Sequence, residues 1–140
     1  MAIEPDIREF VVDIGAVAPS PADGEVYHIW KKAFRRSNYF MVGESFLIVK
    51  ISRTKKPFWG VGKKYIDFFD KLDNYFLVLL LSPKEGYVYN KNEITYNIDN
   101  DYWRLREADQ NYKIYPAVIK ERNYFFGPKQ FLLKIGMEKL

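Results

Sequence analysis

Two stretches of the chain are apolar without interruption, and both predict strands that are buried on two faces. Tyr75 to Leu81 supplies seven consecutive apolar residues, and Phe46 to Val49 supplies four. A strand with one solvated face alternates apolar and polar residues, whereas a central strand covered on both faces does not. The second stretch also belongs to a predicted hairpin, in which Tyr39 to Val42 and Phe46 to Ser52 are joined by a turn at Gly43.

Three other segments predict helices. Pro5 to Ile14 carries apolar residues at helical spacing, with a proline in the first turn and a glycine after the last residue. Gly60 to Leu72 predicts a second helix with apolar side chains along one side. Gly127 and Pro128 open a last short helix, which Gly136 ends.

Shorter patterns predict the remaining elements. Glu25 to Phe34 alternates apolar and polar residues and predicts a strand, as does Gly86 to Asn90. Tyr102 to Leu105 and Tyr112 to Tyr115 also alternate and predict a second hairpin. Asn92 to Ile94 predicts a short turn.

The order of these elements predicts an α/β fold. A strand, a helix and a second buried strand form a βαβ unit, whose crossover is expected to be right-handed. We therefore predict a mixed α+β architecture with a central mixed sheet and flanking helices, in a single domain that spans residues 1–140.

Composition narrows the class of protein. Apolar residues make up 48% of the chain and aromatic residues 18%, so a packed core is expected rather than disorder. There is no apolar run that could span a membrane, and Met1 to Phe10 lacks the apolar region of a signal peptide. We therefore expect a soluble cytoplasmic protein without a membrane partner. The absence of cysteine excludes disulfides and thiolate chemistry, and a single histidine, His28, argues against a histidine metal cage.

Positive charge is concentrated in one stretch of the chain. Residues 31–66 carry a formal charge of +9, although the whole chain carries only +4, and Glu44 is the single acid among them. This asymmetry predicts a basic surface that faces a polyanion. The alternative is that these cations simply solvate the ends of strands and helices.

Aromatic residues within the basic stretch favour nucleic acid as the polyanion, because exposed rings stack on bases. We expect DNA rather than RNA as the partner. Trp59, with Phe58, is expected to stack on a base, and the alternative for Trp59 is a packing anchor between a loop and a helix. The residues expected to contact phosphates are Lys31, Arg35, Arg36, Arg53, Lys55, Lys56, Lys63 and Lys64.

The first hairpin and the helix after it resemble the core of the PD-(D/E)XK, or restriction-endonuclease-like, nucleases. The strand that carries the likeness runs from Phe46 to Ser52 and is apolar up to Lys50, and the element order extends the likeness from Pro5 to Glu93. In that family one strand of a hairpin carries an aspartate, and the next carries an acid, any residue and then a lysine. The resemblance implies a restriction-endonuclease-like core that binds DNA.

Only the lysine of the family motif has a counterpart in this chain. Lys50 occupies its position, whereas Ile48 stands in place of the second acid and Asn38 or Tyr39 in place of the first. Because Mg²⁺ is held by carboxylate oxygens, the resemblance implies a nuclease-like scaffold with a degraded metal site and weak or absent catalysis. No cofactor is then expected.

Two further hypotheses remain open. In the first, the protein is an active Mg²⁺-dependent endonuclease, in which Glu44 in the hairpin turn, or Asp67 or Asp70 on the following helix, replaces the missing acids beside Lys50. The alternatives are a solvated helix position for Asp67 and, for Lys50, a strand end at which its ammonium reaches water. In the second hypothesis, the chain is a protein-interaction module without nucleic acid, and exposed aromatic side chains form a partner or homodimer surface.

Overall fold

The computed structural model describes residues 4–33, 38–116 and 122–136. No helix within these ranges has the length and the apolar character needed to cross a membrane. In chain order the elements are α1 Pro5–Ile14, α2 Glu25–Ala33, β1 Tyr39–Val42, β2 Ser45–Ile51, β3 Trp59–Gly62, α3 Lys63–Phe69, β4 Tyr75–Leu80, β5 Glu85–Asn90, α4 Lys91–Asp99, β6 Arg104–Arg106, β7 Asn111–Ile114, β8 Tyr124–Phe126 and α5 Pro128–Lys134.

A five-stranded mixed sheet forms the centre of the molecule, with the strand order β1-β2-β4-β5-β8. The hairpin of β1 and β2 is antiparallel, and β2 pairs with β4 in parallel, with Val49 opposite Val78. The predicted hairpin and the predicted pair of buried strands are therefore confirmed. The continuous apolar runs lie in β2 and β4, which have neighbouring strands on both sides and covered faces.

Each face of the large sheet carries its own hydrophobic cluster. On one face, α1 and α5 pack through an aromatic group in which the rings of Phe10 and Phe131 lie 5.0 Å apart, and Phe125 of β8 completes it. On the other face, a second cluster includes residues of α3, α4 and a smaller sheet. The mixed sheet with flanking helices is thus confirmed.

The smaller sheet is antiparallel, with the order β3-β7-β6. Its inward residues are buried, among them Val61 of β3 and Tyr112 and Ile114 of β7. Trp59 joins the two sheets, since its indole N–H donates to the carbonyl of Leu80 in β4 over 3.2 Å. Its ring also meets that of Tyr87 in β5 edge to face, at 6.2 Å.

Three predicted elements are corrected. The segment expected as a strand over 25–34 contains helix α2, because Val26, Ile29 and Trp30 at helical spacing pack against the core. Residues 91–99 form helix α4 rather than a short turn, with the capping side chain of Asn90 at its start. Residues 59–62 form β3, so that α3 begins at Lys63 rather than at Gly60.

The helix at 25–33 also bears on the nuclease resemblance. The hairpin, the helix α3 and the parallel strand β4 occur in the order that the resemblance implies, with β3 inserted between the hairpin and α3. The strand expected before the hairpin is absent, since that segment is helical. The restriction-endonuclease-like core is therefore not confirmed.

We predict that the folded protein loses stability in alkaline solution because of the buried phenol of Tyr75, at the start of β4. Burial raises the pKa of Tyr75 well above its usual range, and the negative charge of Asp70 adds to the increase. Above pH 10 the unfolded chain loses this proton while the folded chain keeps it, so the free energy of unfolding falls as the pH rises. The slope from one such group reaches about 1.4 kcal/mol per pH unit. Urea unfolding between pH 8 and pH 11 should show a shallower decline for Tyr75→Phe, and Tyr96→Phe, at an exposed ring, should match the wild type.

Candidate nucleic-acid interface

Two of the predicted phosphate-binding residues are engaged by acids. Arg53 pairs with Glu4 and, over 3.1 Å, with Asp6 at the start of α1. The ammonium of Lys63 lies 2.9 Å from a carboxylate oxygen of Asp67, one turn further along α3. The hydrogen bond that the Lys63 ammonium donates to Asp67 raises the pKa of Lys63 and favours its charged form. Both cations are thus partly neutralised by neighbouring carboxylates.

The other cations of the basic stretch are distributed over several elements. Lys31 and Lys32 are exposed at the end of α2, Lys64 is exposed on α3, and Lys55 and Lys56 are exposed in the loop before β3. Arg35 and Arg36 lie outside the described residues. The high charge of residues 31–66 therefore does not arise from one strand or one helix.

Trp59 is only 2% exposed, which corrects the expectation that it stacks on a base. Its ring and its indole N–H are used to attach the smaller sheet to the larger one. Phe58, which precedes it, points to the opposite side and is 38% exposed. Trp59 therefore packs between the two sheets, whereas the ring of Phe58, the residue before β3, is available for contact with a ligand.

Of the residues expected for catalysis, Glu44 and Lys50 lie at opposite ends of β2. Lys50 lies near the end of β2, with its ammonium 5.9 Å from the ring centre of Tyr65. Glu44 precedes the same strand, about 20 Å away at ~3.3 Å per residue. Asp67 follows Tyr65 by two residues, and a rotation of about 200° therefore turns it to another side of α3. Among the described residues, no group of three or more histidine, aspartate or glutamate side chains could hold a metal ion.

The active endonuclease stays a prediction. Its test is cleavage of plasmid DNA in Mg²⁺ or Mn²⁺ with loss of cleavage in Lys50→Ala. Wild-type protein that leaves the plasmid intact with both metals would contradict it.

A different set of cations lies on the outward face of the smaller sheet. Strand pairing places Gly60, Lys113 and Arg104 in one row across β3, β7 and β6. The next outward row ends at Arg106. A methyl group at Gly60 would meet only the side chain of Asn111, at 3.7 Å. The outward face therefore has no side chain at Gly60, and the cations Lys113 and Arg104 lie to one side of this position.

Exposed aromatic rings continue the same surface. The rings of Phe58 and Tyr115 are 6.2 Å apart, and the ammonium of Lys113 lies 5.0 Å from the centre of the Phe58 ring. Tyr102 and Tyr115 together line two clefts, and Tyr102 lies 6.0 Å from Tyr96 of α4. We call this surface the basic–aromatic face, which consists of Phe58, Tyr96, Tyr102, Arg104, Arg106, Lys113 and Tyr115.

The sequence contains a signal for this face. Within the second predicted hairpin, Arg104, Arg106, Lys113 and Tyr115 occupy alternate positions, in the opposite phase to the buried residues. Charge counted along the chain overlooks them, because only three cations occur there and two acids lie in the intervening turn. Counting the charges separately for the two faces of each predicted strand would have grouped these cations on one face.

Comparisons with family models, with curated proteins and with solved structures find no match for this chain. The chemistry of the basic–aromatic face follows from its side chains. Ammonium and guanidinium groups bind phosphate oxygens, and exposed rings stack on planar groups such as bases. Both kinds of group occur side by side at Phe58 and Lys113.

Proposed function

We propose that this protein binds single-stranded nucleic acid through the basic–aromatic face. One observation carries the proposal: four of the eight large apolar side chains that are exposed among the described residues are aromatic members of this face. Isolated exposed apolar residues are common on any protein, but a continuous group marks an interaction surface. The rings of Phe58, Tyr115, Tyr102 and Tyr96 form such a group.

The positive charge of the basic–aromatic face favours a polyanion over the other partners that aromatic rings can bind. Lys113, Arg104 and Arg106 belong to it, and the exposed Lys55 and Lys56 lie in the loop that leads to Phe58. Of these, Arg106 is partly offset by Asp109, at 3.7 Å. A single strand is favoured over a duplex, because bases must be unstacked from one another before a protein ring can stack on them.

Salt dependence tests this proposal directly. Fluorescence anisotropy of a labelled 20-nucleotide dT strand should show binding whose log K falls linearly with log salt, with a slope of about −2 to −3.5 for three to five phosphates at ~0.7 each. An rU strand of the same length separates DNA from RNA as the preferred partner. A duplex of the same length should bind more weakly. Binding to the dT strand that does not change with salt would contradict the proposal.

Lys113→Ala should reduce the salt slope by about 0.7, because one phosphate contact is lost. The matched control is Lys129→Ala, which removes the same charge from an exposed position on α5, across the large sheet. The slope of the control should equal that of the wild type. Equal slopes for all three proteins would exclude Lys113 from the interface.

Tyr115→Ala should weaken binding of the dT strand about 5- to 150-fold, since stacking contributes ~1–3 kcal/mol per base. The side chain is 66% exposed, so its removal should leave the fold intact. Leu133→Ala, at an exposed apolar position on α5, is the control. An unchanged affinity in Tyr115→Ala, together with a concentration-dependent dimer, would favour the interaction-module hypothesis.

A further inference from the structure

A cleft of about 930 Å³ opens beside the basic–aromatic face. Tyr102 and Tyr115 line it, and these two rings, like Tyr96, also belong to the face itself. Tyr96 and the buried Trp103 add further aromatic surface to its wall. Small-molecule sites have this character, with a mostly aromatic lining and a few fixed polar groups.

Asn92, Glu93, Asn97, Arg122 and Asn123 supply the polar side chains of the cleft, and hydrogen bonds hold Asn97 and Asn123 in defined orientations. The side chain of Asn123, which is 8% exposed, donates through Nδ2 to the carbonyl of Val88 at 2.9 Å and to the carboxylate of Glu93 at 2.7 Å. The side chain of Asn97 donates through Nδ2 to the carbonyl of Glu93 at 2.8 Å. Because both NH₂ groups are used by the protein, each asparagine offers Oδ1, which is a hydrogen-bond acceptor.

The charge of Glu93 is already balanced. One of its oxygens accepts from the backbone N–H of Asn90 at 2.9 Å, and the other accepts from Asn123 and pairs with Arg122 at 3.1 Å. The side chain of Arg122 is 81% exposed, so it lies at the rim with most of its guanidinium in solvent. The cleft thus combines aromatic walls, two neutral acceptors and a cation at its edge.

We propose that this cleft binds a single unstacked nucleobase that presents hydrogen-bond donors, with guanine as the matching base. Guanine carries two adjacent donors, the ring N–H and the exocyclic amino group, for the two asparagine acceptors. Tyr102 supplies the stacking surface and Arg122 faces the attached phosphate. This inference rests on the proposed function, since the shared rings Tyr102 and Tyr115 lead a strand on the basic–aromatic face to the cleft.

The two mononucleotides GMP and IMP test the inference, because they differ only in the exocyclic amino group. In a ¹H–¹⁵N correlation spectrum, the indole N–H signal of Trp103, identified by its loss in Trp103→Phe, reports on the cleft. GMP should shift this signal in a saturable way and bind at least about fivefold more tightly than IMP, since IMP leaves one acceptor unpaired. No shift with GMP, or equal affinities for the two nucleotides, would overturn the inference.

Asn97→Ala tests how much one of the two acceptors, the Oδ1 of Asn97, contributes to the preference for GMP. Alanine suits the interior of α4, and the backbone carbonyl of residue 97, which accepts from Tyr102 and Trp103, is kept. The preference for GMP over IMP should fall to less than about twofold, whereas binding of the dT strand should be unchanged. A retained preference would overturn the role of Asn97.

The two proposals fail in different ways. Salt-dependent binding of the dT strand without a GMP response would overturn the cleft inference and leave the proposed function standing. A GMP response at Trp103 without any strand binding would overturn the proposed function.

Discussion

Gly86→Ala is expected to lower the free energy of unfolding by about 3 kcal/mol or more. Gly86 lies in β5 opposite Leu80 of β4. A Cβ atom there would come within 2.2 Å of the carbonyl oxygen of Leu79 and 2.9 Å of the Cα of Leu80. Both are backbone atoms of a central strand, so no side chain can rotate away and the strands must separate.

Urea unfolding followed by far-UV circular dichroism measures this loss. For a slope of about 2 kcal/mol per molar urea, the midpoint should fall by about 1.5 M. Gly60→Ala is the matched control, because it also adds a methyl group to a glycine in a strand. There the Cβ would meet only the side chain of Asn111, at 3.7 and 3.9 Å, and the change should stay within about 0.5 kcal/mol. Similar midpoints for the two variants would show that the β4–β5 pairing is looser than described.

The large sheet could be predicted because burial on two faces leaves an unambiguous trace in the sequence. Tyr75 to Leu81 is too short and too continuously apolar for a surface helix, and its flanking turn residues set its ends. The β1–β2 hairpin has a similar advantage, since its turn fixes its register. In both cases the local pattern and the tertiary environment agree.

Helix α2 could not be predicted with the same method, because its residues fit two periods. Val26 and Trp30 are compatible with a strand through Val26, His28 and Trp30, and with a helix through Val26, Ile29 and Trp30. Packing against the core selects the helix, in which His28 is exposed. The acid Glu25 in the first turn and Lys31 and Lys32 in the last turn also suit the helix dipole.

The candidate site was harder to predict than the fold, because it depends on which strands lie side by side. The basic stretch is conspicuous in the sequence, yet Arg53 and Lys63 in it are paired with acids. Lys113 and Phe58 are 55 residues apart, and only the pairing of β3 with β7 brings them into contact. The charges within one segment do not reveal which other strand will pair with it in the sheet.

Trp59→Ala is expected to cost about 3–5 kcal/mol, because it removes the anchor between the two sheets. The indole is 2% exposed, contacts Tyr87 and donates to Leu80. Without it, β3 loses its hydrogen bond to β4 and its ring contact with β5, and the basic–aromatic face loses this support. Backbone amides of β7 should then exchange with solvent faster than those of β4.

Trp59→Phe separates the packing of this anchor from its hydrogen bond. A phenyl ring keeps most of the buried surface, and the Leu80 carbonyl still accepts from the backbone N–H of Ser52 at 3.1 Å. No acceptor is therefore left unpaired, and the loss should be about 1–2 kcal/mol. Because the smaller sheet stays attached in Trp59→Phe, the affinity of this variant for the dT strand should remain within about twofold of that of the wild type. Trp59→Ala should weaken this affinity and should also lower the hydrogen-exchange protection of β7. If Trp59→Ala bound the dT strand as tightly as the wild type while β7 exchanged freely, the strand would have to bind elsewhere than on the basic–aromatic face.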